Sequence, residues 1–545
     1  MSRLKKISKG DFFEFLENLS KTYKNNIALS CHQSSEWKLI SFRDLHEQVL
    51  KTASRLQMAG LKKGERVVLL GESSIEWVIH FFAVLLSGGI AIPLDIKLAD
   101  TEMANILSHS EPSLLLASLK FRELARNLRT VPKRASKVLI LNDGLSDSLI
   151  PSLPFNRVKV SPEDPVVICY TSGTSGSPKG VMVPLRTFLF EADAMANISR
   201  DISTKDVMLS VLPLNHLFGL GSGLLFSLRC GMEFCMAHDL SPDAIVFCFK
   251  SRRVTHFQVV PLFLKLMMRE IQRKSHERMG ELKFRSILKS AKLLRFNTLK
   301  KMAFKKIHEP FGGTLKRFVC GGSELDPQIF DFFSAIGTPI YNGYGLTETG
   351  PVIATNAPKR NRRGSVGLPL PGVKVKIANG EIITKGPHLM LGYYRNSELS
   401  RESMDDKGWF YTGDMGYLDK KGFLYLNGRK KNLVVLSNGK KIHPEEVESA
   451  LSKTSSIKEI CVVGLPSSSE LGEKIVAIVI PAENSSESDV RAEIARLSND
   501  LATYKRPSEI IIRRESFPVT ASMKIKRHLV KDELLQTSLG ARKGA

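Results

Sequence analysis

The 545-residue chain has no run of ~20 uninterrupted apolar residues, the length a membrane-crossing helix needs. Its most apolar stretch, residues 77–94, is broken by His80, by Gly88-Gly89 and by Pro93, and reads as helix, turn and strand. The opening MSRLKKISKGDFF is basic but leads into no apolar signal core and no small-residue cleavage site, so the expected compartment is cytoplasmic. The seven cysteines are scattered and odd in number, without a C-x-x-C pair, and there is no H-E-x-x-H. That removes the common zinc and disulfide frameworks and leaves reduced, buried thiols. An aromatic-rich basic RNA motif, a zinc finger and a helix-turn-helix pattern are also missing, so nucleic acid is not an expected partner.

What is present is a composition for large packed cores: 43% hydrophobic residues beside 25% charged ones is too apolar for a disordered chain. The net charge of +24 suits an anionic membrane, an acidic carrier or nucleic acid, and taken alone would even allow a non-catalytic adhesion protein.

The pattern along the chain predicts an α/β fold. In RVVLLGESSIEWVIHFFAVLLSGGIAIPLD, a strand over 67–70, a helix over 75–86 and a strand over 90–92 form a βαβ unit with a parallel sheet. Apolar runs at 166–170 and 318–320 each enter a glycine-rich turn, and residues 364–419 read as short strands punctuated by Gly and Pro, an antiparallel or barrel-like segment. Beyond Arg429 the elements alternate again: strand 433–436, helix 444–451, strands 460–463 and 475–480, helix 490–502 and strand 509–512. The expectation is a large N-terminal domain, 1–428, of mixed and parallel sheets flanked by helices, and a small mobile α+β domain, 429–545.

YTSGTSGSPKG, residues 170–180, places hydroxyls, glycines and Lys179 directly after a buried strand. Glycines let amide N–H groups converge on phosphate oxygens, the hydroxyls add donors and the lysine adds a point charge. It is not a Walker A loop: Pro178 stands where the second Gly is required, and Gly180 follows the lysine where Ser or Thr belongs. GLGSG at 219–223 lacks the third spaced glycine of a dinucleotide fingerprint and is discounted.

That loop, NGYGLTETG at 342–350, WFYTGDMGYLDKKGFLYLNGRKK at 409–431 and PVTASMKIKR at 518–527 occur in an order that resembles the acyl-adenylate-forming enzymes: acyl-CoA synthetases, peptide-synthetase adenylation domains and luciferases. Segments 311–352 and 434–448 resemble most the bacterial long-chain fatty-acid–CoA ligases. The resemblance implies that ATP activates a carboxylate as an acyl-adenylate and that a thiol then takes the acyl group. It implies that Thr171, Ser172, Gly173, Thr174, Ser175, Gly176 and Lys179 hold the β- and γ-phosphates, that Thr347 touches the α-phosphate and that Glu348 ligates Mg2+. Tyr344 would stack on adenine, with Gly322, Ser323, Glu324, Asn342 and Gly345 around its edge. Asp414 and Arg429 would bind the ribose, and Lys524 would reach the carboxylate and α-phosphate. Met523 replaces the glycine that usually precedes that lysine. Lys431 matches the family's hinge position, with Asn432 where many relatives carry an acid. His216, in LPLNHLFG, either orients the carboxylate, gates the acyl tunnel or is structural.

Residues 269–317 carry fifteen Lys and Arg against four Glu, interleaved with apolar side chains. Three readings stay open for this belt: a solvated helical face, peripheral contact with an anionic membrane at its inner face, or docking of acyl carrier protein. The acceptor is likewise coenzyme A or the phosphopantetheine of that carrier, with a long-chain fatty acid as the acyl donor.

Overall fold

The computed structural model describes residues 11–33, 36–128, 137–141, 155–171, 178–237, 239–294, 296–437, 440–467, 472–483, 485–519 and 525–543. The chain forms two compact units, one of residues 1–374 and 384–410, the other of 375–383 and 411–545.

The βαβ reading of residues 66–94 is realised closely. The strands Arg66–Leu70 and Ile90–Leu94 pair in parallel, joined by the helix Ile75–Leu86. Ser74 starts that helix, its hydroxyl accepting from the Trp77 amide at 3.1 Å. Ten of its twelve residues are buried, which explains why its sequence is apolar on every face. These strands belong to a seven-stranded sheet in the order Gly392–Tyr393, Lys179–Pro184, Pro165–Thr171, Ile90–Leu94, Arg66–Leu70, Leu114–Ala117 and Lys137–Ile140. Pairing is parallel from Pro165–Thr171 onward and antiparallel at the Lys179–Pro184 edge.

A nine-stranded sheet stands in the same unit, in the order Leu368–Pro369, Ala354–Thr355, Ile340–Tyr344, Arg317–Cys320, His256–Val259, Val207–Ser210, Glu233–Met236, Ile27–Gln33 and Glu36–Ser41. The six strands from Ile340–Tyr344 to Ile27–Gln33 run parallel, so their carboxyl ends share one edge. Phe257 and Phe318 on adjacent strands pack edge-on against Phe249 and Phe333 of covering helices, with ring centroids 5.0 and 4.8 Å apart.

In the second unit, residues within 374–429 form a four-stranded sheet, Lys374–Ala378, Glu381–Lys385, Phe410–Leu418 and Leu424–Arg429. The 429 boundary expected from composition falls at the end of its last strand. The helices Pro444–Leu451 and Glu487–Ser498 and the three-stranded sheet Ile457–Pro466, Glu473–Pro481 and Glu509–Ile512 confirm the α+β reading of the tail. The second helix starts three residues before its expected position because Ser486 and Asp489 form a reciprocal cap.

Among the buried histidines of the first unit are His256, on the Arg317 side of its strand, and His388, bonded to the Thr384 hydroxyl at 2.9 Å. Burial, reinforced by the Arg317 and Arg186 guanidiniums respectively, lowers each to about 3. The unfolded chain takes up these protons near pH 6.5 and the folded one does not, so stability is full above that pH and falls below it by about 1.4 kcal/mol per pH unit for each histidine. Urea unfolding between pH 7 and 5 is expected to show this loss, and His388→Gln to make it shallower; identical pH profiles would deny the histidine its role.

Candidate nucleotide site

The shared carboxyl edge of the nine-stranded sheet is where an open α/β sheet binds ligands. The register sets Cys320 beside Asn342, so the turn after Arg317–Cys320 and the end of Ile340–Tyr344 are neighbours. Gly322 has φ +89°, and a side chain there would find nothing closer than 3.7 Å, so the turn leaves open space beside it. Ser323 and Glu324 stand exposed after it, while Tyr344 and Asn342 are buried. The Asn342 side-chain carbonyl oxygen is shielded from water and has no hydrogen-bond partner among the described residues. An orphaned acceptor of this kind suits a ligand amino group such as that of adenine.

Beyond Tyr344 the chain folds back on itself. A Cβ at Gly345 would run into the Pro351 carbonyl, so only glycine fits. The Tyr344 carbonyl accepts from Ile353 at 2.7 Å, and between them Thr347–Thr349 makes one 3-10 turn, closed by the Thr349 hydroxyl on the Leu346 amide at 2.8 Å. Thr347 and Glu348 are thereby presented half-exposed.

Glu348 has a partner that sequence reasoning missed: the Tyr393 hydroxyl donates to its Oε1 at 3.0 Å. The Glu348 carbonyl also accepts from the Met390 amide at 3.0 Å. Arg186 fixes that neighbouring segment by donating to the carbonyls of Pro387 and Leu389 at 2.7 and 2.9 Å. The strand Gly392–Tyr393 pairs with Lys179–Pro184, and Thr171 lies opposite Lys179, so the two ends of the glycine-rich segment and, through Tyr393, Glu348 are held by one sheet edge. The only sequence signal for Tyr393 was its place in the LGYYR turn. Ser172, Gly173, Thr174, Ser175 and Gly176 lie outside the described residues.

His216 sits where the two sheets' strand ends approach: Leu214 donates its amide to Ser73 at 3.0 Å, and the His216 Nε2 lies 4.0 Å from Asp95. That nitrogen is shielded and has no hydrogen bond among the described residues, and burial lowers the ring's proton affinity despite Asp95, which favours the neutral imidazole. The GLGSG glycines that follow belong to a π-helical turn, Phe218–Leu225. They serve close packing: a Cβ at Gly219 would lie 2.8 Å from the Pro213 carbonyl, and one at Gly223 would collide with Gln258.

In the second unit, Asp414 and Arg429 are cross-strand partners and form an ion pair at 2.7 Å. Lys524 lies outside the described residues, though its flanks are held: Val519 bridges Ile525, and Lys526 donates to the Pro518 carbonyl at 2.7 Å. No group of three or more metal-ligating side chains occurs among the described residues. A lone Glu348 fits Mg2+, which takes one or two carboxylates and completes its shell with water and phosphate oxygens.

The family model described as AMP-binding enzyme matches residues 16–394, and the AMP-binding enzyme C-terminal domain matches 446–524. The chain belongs to the AMP-binding enzymes. Among curated relatives of this AMP-binding enzyme, oxalate–CoA ligase of Arabidopsis thaliana is 30% identical, covering 96% of this chain and 98% of its own. Long-chain-fatty-acid–CoA ligase of Bacillus subtilis is 27% identical, covering 91% and 90%. Indoleacetate–CoA ligase of Aromatoleum aromaticum is 29% identical, covering 90% and 92%. The solved o-succinylbenzoate CoA synthetase of Bacillus subtilis, in complex with its acyl-adenylate intermediate, superposes with a TM-score of 0.78 at 25% identity, over 95% of this chain and 98% of that one. The fold is thus the acyl-CoA synthetase fold.

Gly345→Ala is expected to cost about 1–3 kcal/mol through overpacking and to abolish AMP binding, read by urea unfolding and calorimetric titration. Unchanged AMP affinity would place the nucleotide elsewhere.

Proposed function

We propose that the protein is an ATP-dependent acid–thiol ligase that converts a long-chain fatty acid into its acyl-adenylate and passes the acyl group to coenzyme A. The observation that carries the reading is the Tyr344–Val352 turn, which sets a half-exposed carboxylate, Glu348, close in sequence to a buried acceptor, Asn342, that has no partner among the described residues. Support for the acid–thiol chemistry comes from relatives that are named as CoA ligases for different acids. Support for the fatty acid is narrower: the likeness of residues 311–352 and 434–448 to the long-chain subgroup, and the Bacillus subtilis relative.

In this reading Asn342 accepts from adenine, Tyr344 and Gly322 flank the base, and the loop ending in Thr171 and Lys179 gathers the outer phosphates. Asp414 with Arg429 takes the ribose hydroxyls. The fatty carboxylate oxygen attacks the α-phosphorus, the bond to the β-phosphate oxygen breaks and pyrophosphate leaves; the thiol then attacks the acyl carbonyl and AMP leaves. Charge builds on α-phosphoryl oxygens in the first step, and the family resemblance assigns Thr347 and Lys524 as the donors that meet it. Mg2+, when bound at Glu348, offsets phosphate charge. Neutral His216 can donate or accept one hydrogen bond at the acid's carboxyl group without adding charge.

Fatty-acid-dependent exchange of label between pyrophosphate and ATP is the direct test; background exchange with every fatty acid offered would end this proposal. Supplying coenzyme A and acyl carrier protein side by side identifies the acceptor. Lys524→Ala is expected to reduce exchange by orders of magnitude while a supplied acyl-adenylate still reacts with thiol; equal loss in both would refute the assignment of Lys524 to the first half-reaction.

Tyr393→Phe removes a hydrogen bond to a charged group, worth about 1.5–3 kcal/mol. The Mg2+ concentration for half-maximal exchange is expected to rise roughly tenfold or more on that scale, and an unaltered Mg2+ dependence would detach Tyr393 from the site.

A further inference from the structure

One cavity of the first unit is lined by none of the residues assigned to the nucleotide site. It has a volume of about 960 Å³ and opens among the helices Pro242–Ser251, Pro261–Met279 and Asn297–Ala303. Its floor is aromatic and aliphatic: Ile245, Phe249, Phe257, Phe263, Phe284 and Phe311. Along Pro261–Met279 the lining residues Phe263, Met267, Ile271, Lys274 and Arg278 recur every three or four positions, one stripe down the helix. From Phe263 to Met279 that stripe is about 24 Å long at 1.5 Å per residue, room for one extended hydrocarbon chain.

Two further features surround the mouth. Leu240, Leu266 and Met302 line the cavity and are nevertheless 52, 54 and 71% exposed, and the helix Glu281–Leu293, which lends Phe284 and Ile287 to the lining, carries Leu282 and Leu293 84 and 88% exposed. Exposed apolar side chains concentrated in this way mark an interaction surface. Lys274, Arg278, Lys305 and Lys306 line the same cavity at its charged rim, and the last three form no ion pair among the described residues. Glu270 and Glu309 also line it, Glu270 already engaged by Arg273 and Lys274.

We infer that this face docks on an anionic lipid bilayer, with one acyl chain of a bilayer lipid entering the cavity and its headgroup resting on Arg278, Lys305 and Lys306. An acidic carrier protein would meet the cations but leave Leu282, Leu293 and the cavity without an apolar partner. A bilayer supplies anionic headgroups and hydrocarbon together, the combination a basic amphipathic surface binds. The inference stands on the cavity and its rim; joined to the proposed ligase reading, it brings the enzyme to the phase in which a fatty acid dissolves.

The test is sedimentation of the full-length protein with unilamellar vesicles of phosphatidylcholine, with and without phosphatidylglycerol. Retention is expected only with the anionic lipid and is expected to fall as salt rises. Lys305→Glu/Lys306→Glu should lower partitioning at least tenfold, from about 1 kcal/mol per basic residue at the surface. Met267→Trp, which narrows the cavity without altering charge, should lower retention several-fold. Phosphatidylglycerol carrying a photoreactive group near its chain terminus should label residues within 257–279. No retention, retention untouched by both variants, labels confined to other peptides, or a self-associated dimer that covers this face would each overturn the inference. Pyrophosphate exchange with long-chain fatty acids supplied in detergent micelles without vesicles reports on the ligase reading separately: background exchange with all of them would condemn that reading and leave the vesicle result standing.

Discussion

The first unit is organised by the close approach of Gly345 to the Pro351 carbonyl. Where no side chain can stand, the polypeptide leaves one strand, makes a single tight turn and returns to pair with it, Tyr344 opposite Ala354. Everything the turn presents depends on that return. Gly221, on the π-helical turn, meets the same strand exit: a Cβ there would lie 3.0 Å from Glu191 and 3.1 Å from Pro351. Glu191 is 1% exposed and burial holds its carboxyl well above the usual range, so a neutral acid underlies the turn. A carboxylate at that depth would be an uncompensated buried charge. The support for the Glu348 turn is therefore close packing and uncharged polar groups, and the half-exposed Glu348 is left as the charged side chain the turn presents.

Much of this was legible in the chain. The helix 75–86 is flanked by a Ser cap and a Gly-Gly stop, so its limits are written in local chemistry, and the helix 444–451 begins with Pro at its first turn for the same reason. The grouping of Gly322, Asn342, Tyr344, Thr347 and Glu348 comes from the family resemblance of their segments, and the structure sets each within a few residues of a strand's carboxyl end. Tyr393 could not be inferred. Its hydroxyl reaches Glu348 across 45 positions of sequence, and the pairing of Gly392–Tyr393 with Lys179–Pro184 that brings it there is a two-residue strand without periodicity. The GLGSG glycines show the converse: a motif-like spacing whose cause is steric, set by Pro213, Glu191 and Gln258 from elsewhere in the chain.

The basic belt shows how far composition can be read. Fifteen cations in 269–317 indicate a charged surface, yet most neighbours of Glu270, Glu277 and Glu281 are already paired along their helices, at i,i+3 and i,i+4 spacing. Exposed pairs of that kind contribute little. What distinguishes Arg278, Lys305 and Lys306 is placement at the rim of an apolar cavity, a property of tertiary packing that charge counting cannot see.

The second unit solves a different problem, the anchoring of the chain on either side of residues 520–524. Arg527 follows the Lys524 segment and is drawn inward, donating to Glu448 at 2.6 Å, to Glu445 at 3.2 Å and to the Val462 carbonyl at 3.0 Å. Glu445 also accepts from Asn432 at 2.7 Å, the residue that stands where many relatives carry an acid. Burial raises the Glu448 carboxyl against the pull of Arg527, so the cluster is costly to desolvate and is weak evidence for stability. Its geometric effect is firmer: it ties the chain after Lys524 to the chain after Lys431. A third acid at position 432 would crowd like charges around one guanidinium, whereas an amide donates to Glu445 and leaves two carboxylates for Arg527. The asparagine is therefore the residue this particular cluster requires, and the departure from the family's acid follows from the company Arg527 keeps.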